Sequence, residues 1–181
     1  RLPRHSTARV GGAHIDQCNI DKCMGDCVMS VFGGPEERSE PAYHAIACAV
    51  MILRLSEALN ERRQERGQHP VQFRIGVNSG EMLAGNMGSR DRMEYTVVGD
   101  AVNLASRLSH AASPGELIIT EEVHAILRLR GLKSRRHGTI KLRGKSRPVS
   151  LFRVLDVTGE ARAEMDRRLG ELLSEHQSEA V

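Results

Sequence analysis

The sequence predicts an α+β fold, and three observations predict it. Strand-like runs come in pairs around tight-turn signals, as at Gly25-Asp26 and Gly144-Lys145. Stretches with a helical period lie between the pairs, as from Pro41 to about Arg66. A β-rich run, Tyr95 to Val98, breaks at Gly99 and leads straight into a helix. Antiparallel strand pairs mixed with covering helices give this class.

The elements follow in order. Residues 1–12 are basic and Gly-containing, with no clear period. Asp21 to Gly33 reads as two short strands joined at Gly25-Asp26, a hairpin signal. Gly33-Gly34-Pro35 ends the second strand. Pro41 sits near the start of a long helix, where Ile46, Ala49, Val50 and Leu53 keep the helical period. Its charged tail, Glu61 to Arg66, is solvated. Val71 to Val77 alternates as a strand, with Val71, Phe73, Ile75 and Val77 on one face. Ser79-Gly80 is a turn, and Glu81 to Asn86 can return antiparallel. Gly85, Gly88 and Ser89 to Arg92 make a loop before the Tyr95–Val98 strand. Asp100 can cap the next helix, whose Val102, Ala105 and Leu108 suit a sheet-facing side. Ser113-Pro114-Gly115 is a break. Glu116 to Thr120 is a strand and Glu121 to Leu127 a short helix. A hairpin follows, from about Lys133 to Leu142 and from Val149 to Leu155. Gly159 to His176 reads as a terminal amphipathic helix, or equally as a linker. The expected division is a divergent or truncated segment over 1–20, a folded domain over 21–158, and a helix or linker over 159–181.

The 181 residues suffice for one domain with a real core. Aromatics are only 3% and Trp is absent, so Leu, Ile, Val, Met and Ala must fill that core. A formal charge of +3 is too mild to indicate nucleic-acid binding. No apolar run approaches the roughly 18 to 20 residues of a membrane span, and no signal-peptide pattern opens the chain. A cytoplasmic location without membrane contact is expected, either as a cytoplasmic protein or as the cytosolic part of a larger, even membrane-anchored, one. The start at Arg1, without Met, suits a piece of a longer protein. Cys18, Cys23 and Cys27 lie close together below His14, but not at the paired spacing of a zinc module. Strand alternation would scatter them as ligands, so reduced thiols are expected.

Asn103 and Arg107 are four residues apart and share one helix face. An amide one turn before a guanidinium, just past a strand–Gly turn, suits holding a sugar and a phosphate. The spacing fits equally a surface Asn and Arg on an ordinary amphipathic helix.

The run Tyr95-Thr96-Val97-Val98-Gly99-Asp100-Ala101-Val102-Asn103-Leu104-Ala105-Ser106-Arg107-Leu108 closely resembles the signature of the class III nucleotidyl cyclases, the adenylate and guanylate cyclase catalytic domains. The resemblance covers about Asp21 to about Val154, with motifs in family order, and is greatest to bacterial-type adenylate cyclases. It implies a ferredoxin-like core with one mixed, largely antiparallel sheet. It also implies two domains meeting head to tail, as a homodimer here, with active sites between them. The implied reaction is cyclisation of ATP to 3′,5′-cyclic AMP. The ribose 3′-hydroxyl attacks the α-phosphate in line and pyrophosphate leaves, with Mg²⁺ or Mn²⁺ on the phosphates.

By this resemblance Asp26 matches the second metal-binding aspartate; alone, it reads as a plain turn Asp. Lys22 matches a purine-reading position and can donate to adenine N1, where guanine presents a donor. Alone, it is a solvated strand lysine. Thr96 matches the second base-reading position, where a hydroxyl can accept from the adenine amino group. Asn103 matches the residue that orients the ribose, and Arg107 the one that stabilises the α-phosphate in the transition state. Arg143, in Leu142-Arg143-Gly144-Lys145, matches the basic residue on the terminal phosphates. Arg92 can also face the phosphates, although a charged loop is usually just solvated.

The chain departs from the family at its start. No Asp-bearing strand followed by Gly-Phe-Thr or Gly-Phe-Ser precedes Asp21, so the first metal carboxylate and its strand are expected to be missing. Gly11-Gly12 is separated from Asp21-Lys22 by Ala13 through Ile20, an insertion or an unrelated Gly pair. Asp16 could in principle stand in for the lost carboxylate. Two readings remain. One is an adenylate cyclase domain, a fragment or divergent copy, slowed alone by roughly two to three decades. The other is an inactive cyclase-homology module that binds nucleotide or a partner domain and regulates it.

Overall fold

A computed structural model describes residues 7–10, 13–34, 39–89, 92–141 and 148–178. The elements run β1 (Thr7–Val10), β2 (Ala13–Met24), β3 (Cys27–Phe32), α1 (Pro41–Glu65), β4 (Arg74–Val77), β5 (Leu83–Ser89), β6 (Arg92–Val98) and α2 (Asp100–Ala111). They continue with β7 (Glu116–Thr120), α3 (Glu121–Leu127), a 3₁₀ turn (Arg128–Arg130), β8 (Leu132–Ile140), β9 (Val149–Val157) and α4 (Glu160–Ser178).

The class is α+β, with mostly antiparallel pairing. Among the described residues the strands form three sheets, β1-β2-β3, β4-β7-β9-β8 and β5-β6, where a single one was expected. Among the described residues only β4 and β7 pair parallel. The difference arises at β5. It does not return on β4 but pairs with β6 in unbroken register, from Leu83 opposite Val98 to Ser89 opposite Arg92. A four-residue β4 offers no ladder of that length. The expected loop before the central strand is therefore strand on both sides.

β4 also starts later than the alternation suggested. The Val71 N–H donates to Asn60 Oδ1 at 2.8 Å, and its carbonyl accepts from Asn60 Nδ2 at 2.7 Å and Ser56 Oγ at 2.8 Å. Side chains of α1 thus satisfy the backbone that a neighbouring strand would have taken. Val71 and Phe73 stay exposed. Ahead of β2, a strand does exist where none was expected. β1 pairs antiparallel with β2, but its Thr-Ala-Arg-Val carries no carboxylate.

The core forms on both faces of β7, which is buried throughout. Leu117 and Ile119 meet Ile46, Ala49 and Val50 of α1, Val123 of α3 and Met165 of α4. Ile118, on the alternate face, meets Leu104 and Leu108 of α2 and Leu151 of β9. Each fully buried aliphatic side chain contributes about 1.5 to 3 kcal/mol, so apolar area holds both layers. By length and composition α1 is apolar enough to cross a membrane, contrary to the expectation that no run comes close. Its Ala45, Ile46, Ala49, Val50 and Met51 are buried, and 33% of its apolar window is enclosed by the fold. Charge adds to the docking of α4. Arg54 of α1 bonds Asp166 of α4 at 2.7 Å and also pairs with Asp156 of β9, which pairs in turn with Arg162.

The placement of α2 rests on Gly76. A Cβ there would lie 2.4 Å from the Ala105 carbonyl oxygen, 2.5 Å from the Ser109 nitrogen and 2.6 Å from Leu108 Cβ. The helix backbone therefore lies directly on β4. Asn78, just past β4, ties the same joint. Its Nδ2 donates to the Ala101 carbonyl at 3.1 Å, and its Oδ1 accepts from the buried Thr120 hydroxyl at 3.1 Å. Gly99 opens the helix at φ 152°, a conformation that disfavours side chains. No side chain caps it; Asp100 sits in the first turn, where its charge suits the helix dipole. The buried face is Leu104 and Leu108, while Val102 and Ala105 are half-buried.

Two predictions concern stability. Gly76→Ala forces the helix off the sheet and should cost on the order of 1 to 3 kcal/mol, lowering Tm by roughly 3 to 10 °C. Gly170→Ala, where a Cβ meets open space within α4, should instead raise Tm slightly. Differential scanning calorimetry on both variants checks the opposite signs.

The second concerns Glu116, whose carboxyl is held below its ordinary 4.5. The Ser113 N–H bonded to it at 3.1 Å is the main cause, with Arg153 at 2.5 Å adding to it. A depressed value means stability present above the unfolded pKa and lost as pH falls through the folded one. Denaturant midpoints measured downward from about pH 5 should fall, and Glu116→Gln should remove part of that fall.

Candidate active site

The β2–β3 hairpin turns on two residues, Gly25 at φ 64° and Asp26. Register runs Met24 to Cys27, Cys23 to Val28 and Lys22 to Met29; the next pair is Ile20 to Ser30. Asp21 is therefore an extra residue, a β-bulge. Bulges re-aim side chains that strict alternation would send to opposite faces. The result brings two of the expected base-reading residues together. The Asp21 Oδ2 lies 3.4 Å from Lys22 Nζ and accepts a 2.7 Å bond from the Thr96 hydroxyl. The Asp21 side chain is only 6% exposed and Lys22 31%. A carboxylate so enclosed needs partners, and these two supply a charge and a proton. Thr96 is buried on β6, opposite Gly85, which brings no side chain to crowd it.

Asp26 is exposed at the turn, four residues past Lys22. Asn103 and Arg107 both lie on the exposed face of α2. Among the described residues no side chain bonds either of them, so amide and guanidinium are available to a ligand. Arg143 lies outside the described residues, and so does the Arg92 side chain; of Arg92 the structure gives only its place at the start of β6.

The donor set bears on metal binding. No group of three His, Cys, Asp or Glu among the described residues could hold an ion. Asp26 gives one carboxylate, which suits Mg²⁺ or Mn²⁺ when phosphate oxygens complete the shell. Asp16 sits toward the far end of β2, roughly 26 Å of strand from the turn.

Asp21 is the residue that sequence reasoning missed. Its neighbour Lys22 was legible, but alternation placed the two on opposite faces. Only the bulge reunites them, and no residue in this strand announces a bulge.

Comparison with known proteins bears on the whole arrangement. The adenylate and guanylate cyclase catalytic domain family matches residues 13–154. Adenylate cyclase 1 of Rhizobium meliloti is 28% identical over 134 residues, 74% of this chain and 20% of that protein. The chain thus spans about a fifth of that relative's length. Among solved structures, the adenylyl cyclase CyaB from P. aeruginosa superposes with a TM-score of 0.70 at 32% identity, over 78% of this chain and 73% of that one. The guanylyl cyclase Cya2 gives 0.67 at 31% identity, over 79% and 72%. A family match across most of the chain, on a fold shared with solved members, makes this a member of the adenylate and guanylate cyclase catalytic domain family, a class III nucleotidyl cyclase domain.

Proposed function

We propose that this domain converts ATP to 3′,5′-cyclic AMP and pyrophosphate in the cytoplasm. The observation that carries the reading is the convergence of Lys22 and Thr96, 74 residues apart in sequence, on Asp21. Likeness to an adenylyl and to a guanylyl cyclase is nearly equal, so the choice of base rests on these side chains. Adenine offers an acceptor at N1 and an amino donor at C6. An ammonium and a hydroxyl oxygen complement that pair; guanine reverses both positions.

The remaining roles follow from residue chemistry. Asn103 holds the ribose so that its 3′-hydroxyl lies in line with the α-phosphate. Arg107 offers a fixed fork of donors to the charge that develops there as the 3′-oxygen bonds phosphorus and pyrophosphate departs. Arg143 and Arg92 are proposed for the terminal phosphates. Mg²⁺ or Mn²⁺ held by Asp26 and phosphate oxygens would neutralise charge on the leaving group. We place Asp26 of one chain opposite Lys22, Thr96, Asn103 and Arg107 of a second in a head-to-tail homodimer. The exposed Val28, Leu83, Met93 and Val98 on the hairpins support an apolar interface.

One observation favours the second reading, a regulatory module that binds nucleotide without turning it over. The strand beside β2 carries no aspartate. Under that reading ATP binds, yet no cyclic AMP forms.

Two experiments test the proposal. The domain should favour ATP over GTP in kcat/KM, and Lys22→Glu should lower that ratio by roughly tenfold or more. Equal use of the two by the unmutated protein would sink the assignment. Mixing Asp26→Ala with Arg107→Ala chains should restore activity, to about a quarter of the unmutated level at random pairing, because each mixed dimer keeps one intact site. A verified mixed dimer with no rescue argues against shared sites.

A further inference from the structure

Asp21 belongs to neither the expected substrate set nor the metal set, yet its side chain is only 6% exposed. Its position is specific. A bulge inserts it between two regular pairs of the β2–β3 ladder, and it reaches across to β6. Removing the bulge would return its side chain to the opposite face.

A threonine hydroxyl has one proton and two lone pairs, and it rotates to suit its partner. Alone, it can therefore face either an amino group or a carbonyl, and it discriminates poorly between adenine and guanine. Here its proton is committed. The Thr96 hydroxyl donates to Asp21 Oδ2 at 2.7 Å, and a carboxylate only accepts. Lys22 is held by the same oxygen at 3.4 Å, with the rest of its ammonium protons left to point elsewhere.

We infer that Asp21 is a positioning residue for base selection: it takes the Thr96 proton and leaves that oxygen to a ligand only as an acceptor. An adenine 6-amino group then finds a lone pair. A guanine 6-carbonyl meets another acceptor and is turned away. Asp21 touches no substrate atom in this scheme. It acts by fixing the polarity of Thr96 and the direction of Lys22. The inference rests on the adenine reading of the site above.

The test separates the two. Competition binding on residues 1–181 compares ATP, GTP and purine riboside triphosphate, which keeps N1 but lacks the 6-amino group. The unmutated chain should bind ATP over the purine analogue by roughly tenfold, the worth of one well-aligned hydrogen bond. Asp21→Asn, the same shape with a rotatable amide, should bring that ratio to within about threefold of unity. In a Thr96→Ala background Asp21→Asn should change the ratio no further, as expected when one residue acts through the other. A purely structural role would weaken all three nucleotides alike and leave the ratio standing. An unchanged ratio in Asp21→Asn overturns the inference while leaving the adenine reading intact. An unmutated chain that binds ATP no better than GTP, or binds neither, overturns that reading and the inference with it. Thr96→Val gives an independent check should Asp21→Asn fail to fold. It removes the hydroxyl and keeps the shape, and a persisting tenfold ratio there also overturns the inference.

Discussion

The joint between β4 and α2 is the constraint on which the rest of the site depends. With any side chain at Gly76, the Ala105 carbonyl and the Ser109 amide could not stay where they are. The helix would rise off the sheet, and Asn103 and Arg107 would rise with it. Asn78 and Gly99 set the remaining freedoms, one by bonding the first turn of the helix and the other by turning the chain into it. The apolar layer of Leu104, Leu108 and Ile118 then holds what the backbone contact has placed. Backbone packed on backbone has little rotamer freedom, which suits a face that presents polar groups to a ligand.

The base-reading corner is built on the opposite logic. There the sheet does not bring backbones together; it encloses a charge. A carboxylate excluded from water is stable only while its partners stay in place, so loss of one is felt by the others. The α4 clamp shows the same chemistry with less at stake. Arg54, Asp156, Arg162 and Asp166 are partly exposed, and water can replace any missing partner.

Much of the fold was legible in the sequence because its signals are local. The Gly25-Asp26 turn, the apolar period of α1 and the strand–Gly–helix passage at Gly99 each depend on a few neighbouring residues. The failures all came from partners distant in sequence. Val71 and Phe73 alternate as a strand should, but Asn60 and Ser56 of α1 claimed the Val71 backbone first. β5 looked able to return on β4, but β6 offered it a longer ladder. Asp21 read only as the start of a strand; its bulge appears once β3 has set the register. The residues of the site were readable individually; how Lys22 and Thr96 are joined was not.

The parallel pairing of β4 with β7 has a consequence for the order in which the chain acquires its shape. β2–β3, β5–β6 and β8–β9 are hairpins, whose ends are near in sequence and which close in microseconds. β4 finds β7 only across about forty residues, with a complete hairpin and α2 in between. That closure costs more chain entropy and brings no contact until it is made, so it falls late. Ile118 of β7 meets Leu104 and Leu108 of α2, so that helix gains its apolar floor only in the same event. The surface that carries Asn103 and Arg107 is thus among the last parts of the molecule to exist, and a chain caught before that step has its hairpins but not its site.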